Sequence, residues 1–238
     1  MARPLALVLT LLAVGLAACG DGPSERTQAP PAGGPTASTA TPTQPATTPD
    51  AAGGTCVKKE EPGGGKALPC PTPTLIEGKD NVVTFKTSEG SFEITLDAKR
   101  APATANSVAY LTKRGFYDGL NFHRVVPDFV IQGGDPLGDT PNAGTGGPGY
   151  SVTEAPPADL KYTRGVVAMA KGGADAPGAS GSQFFVVSAA DVGLPPEYAL
   201  VGKVTKGLGT VDKITALGEG DGPPRKEVKI TSARLSGR

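Results

Sequence analysis

The feature that most constrains this fold is a series of short apolar stretches of period two, spread from Val82 to Ile230 and punctuated by glycine. Phe92, Ile94 and Leu96 alternate with Glu93 and Thr95, as in a strand with one buried face. Residues 82–87 read as its hairpin partner, joined through Ser88-Glu89-Gly90. Further strands are predicted over 122–126, 129–132, 166–170 and 183–187, and Val228 and Ile230 alternate in a closing strand. Two stretches keep helical spacing instead. One is opened by Pro102 and runs through Ala105, Val108 and Leu111 to Lys113-Arg114-Gly115, with basic residues and a glycine where a helix stops. The other carries Leu208, Val211, Ile214 and Leu217. Many short strands with two helices imply a mainly β, antiparallel sheet structure, open or closed.

These elements occupy residues 80–238, about 160 residues and enough for one domain with a sizeable core. The chain before them is of another kind. Residues 1–18 read as an export signal: Arg3, then an apolar run from Leu5 to Leu16. That run is short for a bilayer core of about 30 Å and suits a secretory signal. Leu16-Ala17-Ala18-Cys19 resembles the lipobox of bacterial lipoproteins. The resemblance implies cleavage before Cys19, a lipid on its sulfur, palmitate among the candidate acyl groups, and an extracytoplasmic protein anchored to the bacterial cell membrane. Two acyl chains suffice for stable anchoring, at about 0.8 kcal/mol per buried methylene.

Residues 19–79 are dominated by Pro, Thr, Ala and Gly and are expected to form a linker. So few large apolar residues do not offset backbone ordering at about 1–2 kcal/mol per residue. Cys56 and Cys70 are the other two cysteines. In an exported chain such a pair favours a disulfide, worth about 3 kcal/mol and stapling a small subdomain before the main fold. Two free thiols are the alternative, and a metal site lacks a nearby histidine.

Charge and motif arguments narrow the function. Lys+Arg and Asp+Glu both number 23, so net charge is zero, and no basic cluster points to nucleic acid. The single histidine, His123, leaves little for a catalytic triad or a catalytic metal. Gly144 to Gly149 fits G-x-G-x-x-G formally, but it follows no clear strand, opens no helix and contains Pro148. No metal or other cofactor is expected.

The run from Phe122 to Asp135 carries the chemistry. It sets His123, Arg124, Phe129 and Gln132 beside Gly133-Gly134 within apolar, strand-like sequence. An arginine there is costly without a partner. Val130 and Gln132 share one strand face, and Gln183 and Phe185 share another, with Phe184 and Val186 pointing away. If the outer faces meet, Arg124, Gln132 and Gln183 ring an apolar recess suited to a proline ring.

This run, with Gly144-Thr145-Gly146-Gly147, Gly165 to Ala170 and Ser180-Gly181-Ser182-Gln183-Phe184-Phe185 in order, resembles the cyclophilin-type peptidyl-prolyl cis-trans isomerases over nearly all of residues 80–238. The resemblance implies a closed eight-stranded antiparallel barrel capped by two helices. It implies noncovalent, cofactor-free rotation of X–Pro bonds, acting as a monomer on proline-containing exported polypeptides and assisting their folding. By resemblance, Arg124 stabilises the twisted amide and Gln132 positions the peptide backbone. Phe129, Val130, Phe185 and Leu194 hold the proline ring, with Ala170, Lys171, Gln183, Tyr198 and His123 around the substrate. His123 reads mainly as a structural neighbour, because isomerisation moves no proton. The sequence departs from the family at the rim. Gly193 stands where many members have tryptophan, Tyr198 where many have histidine, Lys171 where asparagine is common and Val130 where methionine is. Those changes bear on substrate preference and cyclosporin binding. The rival reading is a proline-peptide-binding chaperone or adaptor with little turnover.

Overall fold

The computed structural model describes residues 48–49, 54–60 and 67–238. The expected signal segment and Cys19 lie outside them. In chain order the first strands are β1 (Thr48–Pro49), β2 (Thr55–Lys58), β3 (Asn81–Thr87), β4 (Gly90–Leu96), β5 (Arg124–Val126) and β6 (Val130–Gly133). They are followed by β7 (Tyr150–Thr153), β8 (Val166–Met169), β9 (Ala179–Ser180), β10 (Phe184–Val187), β11 (Leu200–Lys206) and β12 (Ile230–Gly237). Helix α1 (Pro102–Lys113) and helix α2 (Leu208–Thr215) complete the set and fall where helical spacing placed them.

Eight strands form one antiparallel sheet in the order β12-β3-β4-β11-β8-β10-β6-β5. Its inner face carries the main core. Phe184 lies at its centre, with ring centroids 5.2 Å from Phe85, 5.6 Å from Tyr117 and 6.0 Å from Phe122. Helix α1 contacts β11 and β12, and its Ala103, Ala105 and Ala109 let the backbone come close. No side chain at its own start caps it. Glu154, just past β7, accepts from Ala103 N and Thr104 N at 3.0 and 2.8 Å and satisfies donors that every helix start leaves open.

Closure of the barrel is the first correction. β5 and β12 are the two outer strands and form no ladder with each other; the chain ahead of each is joined only by an isolated bridge, Asn121 with Lys229. The loop after α2 takes the free edge of β5, where Val125 N donates to Gly222 O at 2.8 Å. β12 begins at Ile230, whose N–H reaches Leu120 O before β5 has started. The sheet is therefore curled but open at this seam.

The expected boundary at residue 80 is the second correction. β2 pairs along its length with β7 in a four-stranded sheet ordered β1-β2-β7-β9. Cys56 is fully buried within the main core and is bonded to Cys70, S–S 2.11 Å. The disulfide thus ties residues 54–60 and the segment around Cys70 onto the folded domain, and no separate subdomain is built there. Among the described residues, no helix is long and apolar enough to cross a membrane.

Candidate active site

Strand register brings the site residues into one row. Arg124 pairs with Gln132, Gln132 with Phe185, and Phe185 with Ala168, across β5, β6, β10 and β8. Because side chains alternate, all four point to the outer face while Val125, Ile131, Phe184 and Val186 enter the core. The turn after β6 requires glycine. Gly134 has φ +85°, and a Cβ there would lie 2.6 Å from Ser182 O.

The outer face has its own apolar cluster. Val130, Tyr162, Val166, Ala168, Phe185, Val187 and Leu200 are buried in it, with Phe129, Ala170, Leu194 and Tyr198 at its edge. Tyr198 meets Phe185 edge-on at 5.4 Å and Tyr162 at 5.9 Å. Tyr162 Oη donates to Tyr198 O and accepts from Tyr198 N, fixing the rim segment. Burial pushes the Tyr162 phenol up to about 12, with the bond to Tyr198 acting against it. A recess of about 260 Å³ opens here, with Phe129, Val130, Phe185, Leu194 and Tyr198 as its apolar walls. Arg124, Gln132, Ala170 and Lys171 complete it. It is smaller than the ~300–1,000 Å³ of drug-sized clefts and suits a single ring.

Arg124 is partnered as its setting demands. Nε and Nη2 donate to the two carboxylate oxygens of Asp221 at 2.5 and 2.8 Å, and Nη1 donates to Gln132 Oε1 at 3.2 Å. Its guanidinium carbon also lies 6.0 Å from the Phe129 ring centroid, at the limit of a cation–π contact. The bond to Asp221 raises Arg124 above the ordinary guanidinium value, and Arg124 in turn lowers Asp221. Sequence reading missed Asp221. It stands 97 residues from Arg124 in a Gly/Pro loop, and nothing in its neighbourhood signals the pairing.

Two candidate residues stand behind the recess and do not line it. Gln183 is buried, accepts from Gln132 Nε2 at 3.1 Å and donates to Gly146 O at 2.9 Å. His123 is 8 % exposed with Nε2 3.4 Å from Gln132 Nε2. Burial lowers the His123 pKa, Asp135 opposes that shift, and Arg124 adds to it. Gly193 lies at an open surface with φ +62° and no atom within 4 Å of where a Cβ would stand. Among the described residues no group of three His, Cys, Asp or Glu side chains is placed to hold a metal.

An apolar ring seat beneath a fixed, permanently charged fork can take a proline and polarise the amide beside it. The comparisons agree with that geometry. Residues 82–235 match the family model described as cyclophilin type peptidyl-prolyl cis-trans isomerase. This chain belongs to the cyclophilin-type peptidyl-prolyl isomerase family. It is 38% identical over 157 residues to the human peptidyl-prolyl cis-trans isomerase-like 1, covering 65% of this chain and 92% of that protein. It is 41% identical over 172 residues to a probable peptidyl-prolyl cis-trans isomerase B of Mycobacterium leprae, covering 64% of this chain and 56% of that protein. A cyclophilin-type isomerase from Cryptosporidium parvum superposes with TM-score 0.60 at 29% identity, covering 67% of this chain and 99% of the other. A second structure of that protein, in the presence of the dipeptide Ala-Pro, gives TM-score 0.58 at 27% identity over 66% of this chain and 99% of the other.

Proposed function

We propose that this cyclophilin-type isomerase accelerates X–Pro rotation in exported polypeptides while held by lipid at Cys19 on the outer side of the cell membrane, as a monomer. The observation that carries the catalytic part is the Arg124 fork. Asp221 holds two of its nitrogens, and Nη1 sits beside Gln132 at the wall of the proline-sized recess. The reaction's barrier is amide resonance, about 18–20 kcal/mol, and no bond need be broken. In the twisted amide the prolyl nitrogen pyramidalises and gains basicity. A guanidinium, which does not lose its proton, stabilises that state more than either planar one. Gln132 holds the peptide backbone, and Phe129, Val130, Phe185 and Leu194 hold the ring.

The Cys56–Cys70 disulfide supports placement in an oxidising compartment, where such bonds persist. The lipobox-like sequence ending at Cys19 supports the anchor. Two measurements test the proposal. In a protease-coupled assay on an Ala-Pro peptide, the protein accelerates isomerisation; binding without acceleration makes it a peptide-capturing adaptor instead. On cell fractionation, the wild type sediments with membranes and Cys19→Ala does not. An unchanged distribution removes the anchor.

A further inference from the structure

We infer that the chain ahead of the family domain supplies a charge-selective wall for the peptide: Lys59, paired with Asp175, sets which side chain is accepted next to the proline seat. This rests on the isomerase reading above. Residues 54–60 precede the region matched by the family model, yet they are built into the domain. The Cys56–Cys70 bond and the ladder with β7 fix them, and Lys59 N donates to Gly149 O at 3.0 Å.

This places Lys59 and Glu60 on the wall of a second cavity, about 410 Å³, that shares Gln132 and Lys171 with the proline recess. A residue adjoining a seated proline therefore has this cavity beside it. The loop from Gly144 to Pro148 forms another part of the wall and is held by the buried carboxylate of Asp135, which accepts from Leu137 N and Gly144 N. Lys59 Nζ reaches Asp175 Oδ1 at 3.1 Å across the chain. Lys171 Nζ, 7 % exposed on its side chain, donates to Asp175 O and faces Glu197 at 3.5 Å. The charges lining the cavity are thus balanced, Lys59 and Lys171 against Glu60 and Asp175, while Glu197 stands outside it beside Lys171. The Lys59 and Asp175 side chains are 47 % and 36 % exposed, so the pair contributes little to stability and opens readily. A balanced rim favours uncharged side chains, and removing one charge exposes the other sign.

The test is kcat/KM on Ala-Pro peptides carrying Glu, Gln or Lys at each of the two positions on either side of the Ala-Pro pair. The wild type prefers Gln at one of these positions. Lys59→Glu shifts the Lys-to-Glu ratio at that position by about tenfold toward Lys. Asp175→Asn, which keeps the acceptor for Gly172 N (2.9 Å), shifts it a few-fold toward Glu. An active wild type whose Lys-to-Glu ratio is unmoved at every position by both variants overturns this inference and leaves the isomerase reading standing. A wild type inert on all peptides overturns both.

Discussion

Replacing Asp221 by alanine probes whether Arg124 works as an oriented fork or merely as a nearby charge. Asp221 is 64 % and Arg124 32 % exposed on their side chains, so loss of the pair is screened by water and costs about 0–1 kcal/mol of stability. That corresponds to a melting shift of at most about 4 °C. The effect on catalysis is larger. Two of the three bonds that orient the guanidinium are lost, and an arginine side chain regains up to ~2 kcal/mol of rotamer freedom. Gln132 and Phe129 still restrain it, so we take roughly 1.4 kcal/mol, a tenfold fall in kcat/KM. Asp221→Asn keeps one acceptor oxygen and falls about threefold. In an Arg124→Ala background, Asp221→Ala has no further effect, which separates positioning from general damage. A folded Asp221→Ala protein with activity within twofold of wild type, or higher because a neutralising charge has gone, refutes the oriented fork.

Three further outcomes follow from the same structure. His123 is held below its ordinary pKa chiefly by burial, so the unfolded chain takes up its proton first as pH falls below about 6.5. Stability is therefore full above that pH and declines from there through the lower, folded pKa; denaturant titrations from pH 8 to 5 with wild type and His123→Gln measure it, and equal pH dependence contradicts it. Converting Cys56 and Cys70 together to alanine removes a cross-link of sequence separation 14 and costs about 3 kcal/mol, read as a lower urea midpoint that reducing agent reproduces in the wild type. Phe185→Ala empties the floor of the proline recess, where the ring is 4 % exposed, and costs about 3–4 kcal/mol while raising KM.

Much of this site was legible because the signals are local. Period two placed β4 and predicted that Phe185 faces outward while Phe184 faces the core, as the two apolar clusters bear out. Proline at the start and Lys113-Arg114-Gly115 at the end marked α1. What escaped depends on tertiary context. β11 carries Gly202 at φ +154°, where a Cβ would lie 2.0 Å from Thr95 O, and the glycine and two lysines hide its alternation. β7 alternates Tyr150 and Val152 with Ser151 and Thr153, but four residues between glycine- and proline-rich loops are too short a run to stand out. β2 sits among prolines and glycines that composition assigns to a linker, and its order comes from the disulfide and from β7. Barrel closure was carried by resemblance alone, and the loop at Gly222 decides it otherwise. Asp221, Lys59 and Asp175 acquire partners only through folding, so no spacing rule could have found them.

The central claim is that the Arg124 guanidinium stabilises the twisted amide and is not simply a binding contact. Exchange NMR on an Ala-Pro peptide measures the cis–trans rate on the enzyme separately from affinity. Wild type is expected to give catalysed exchange peaks, while Arg124→Ala, still folded and still binding the peptide through Phe129, Val130 and Phe185, loses most of the exchange. Exchange at the wild-type rate in folded Arg124→Ala would contradict it.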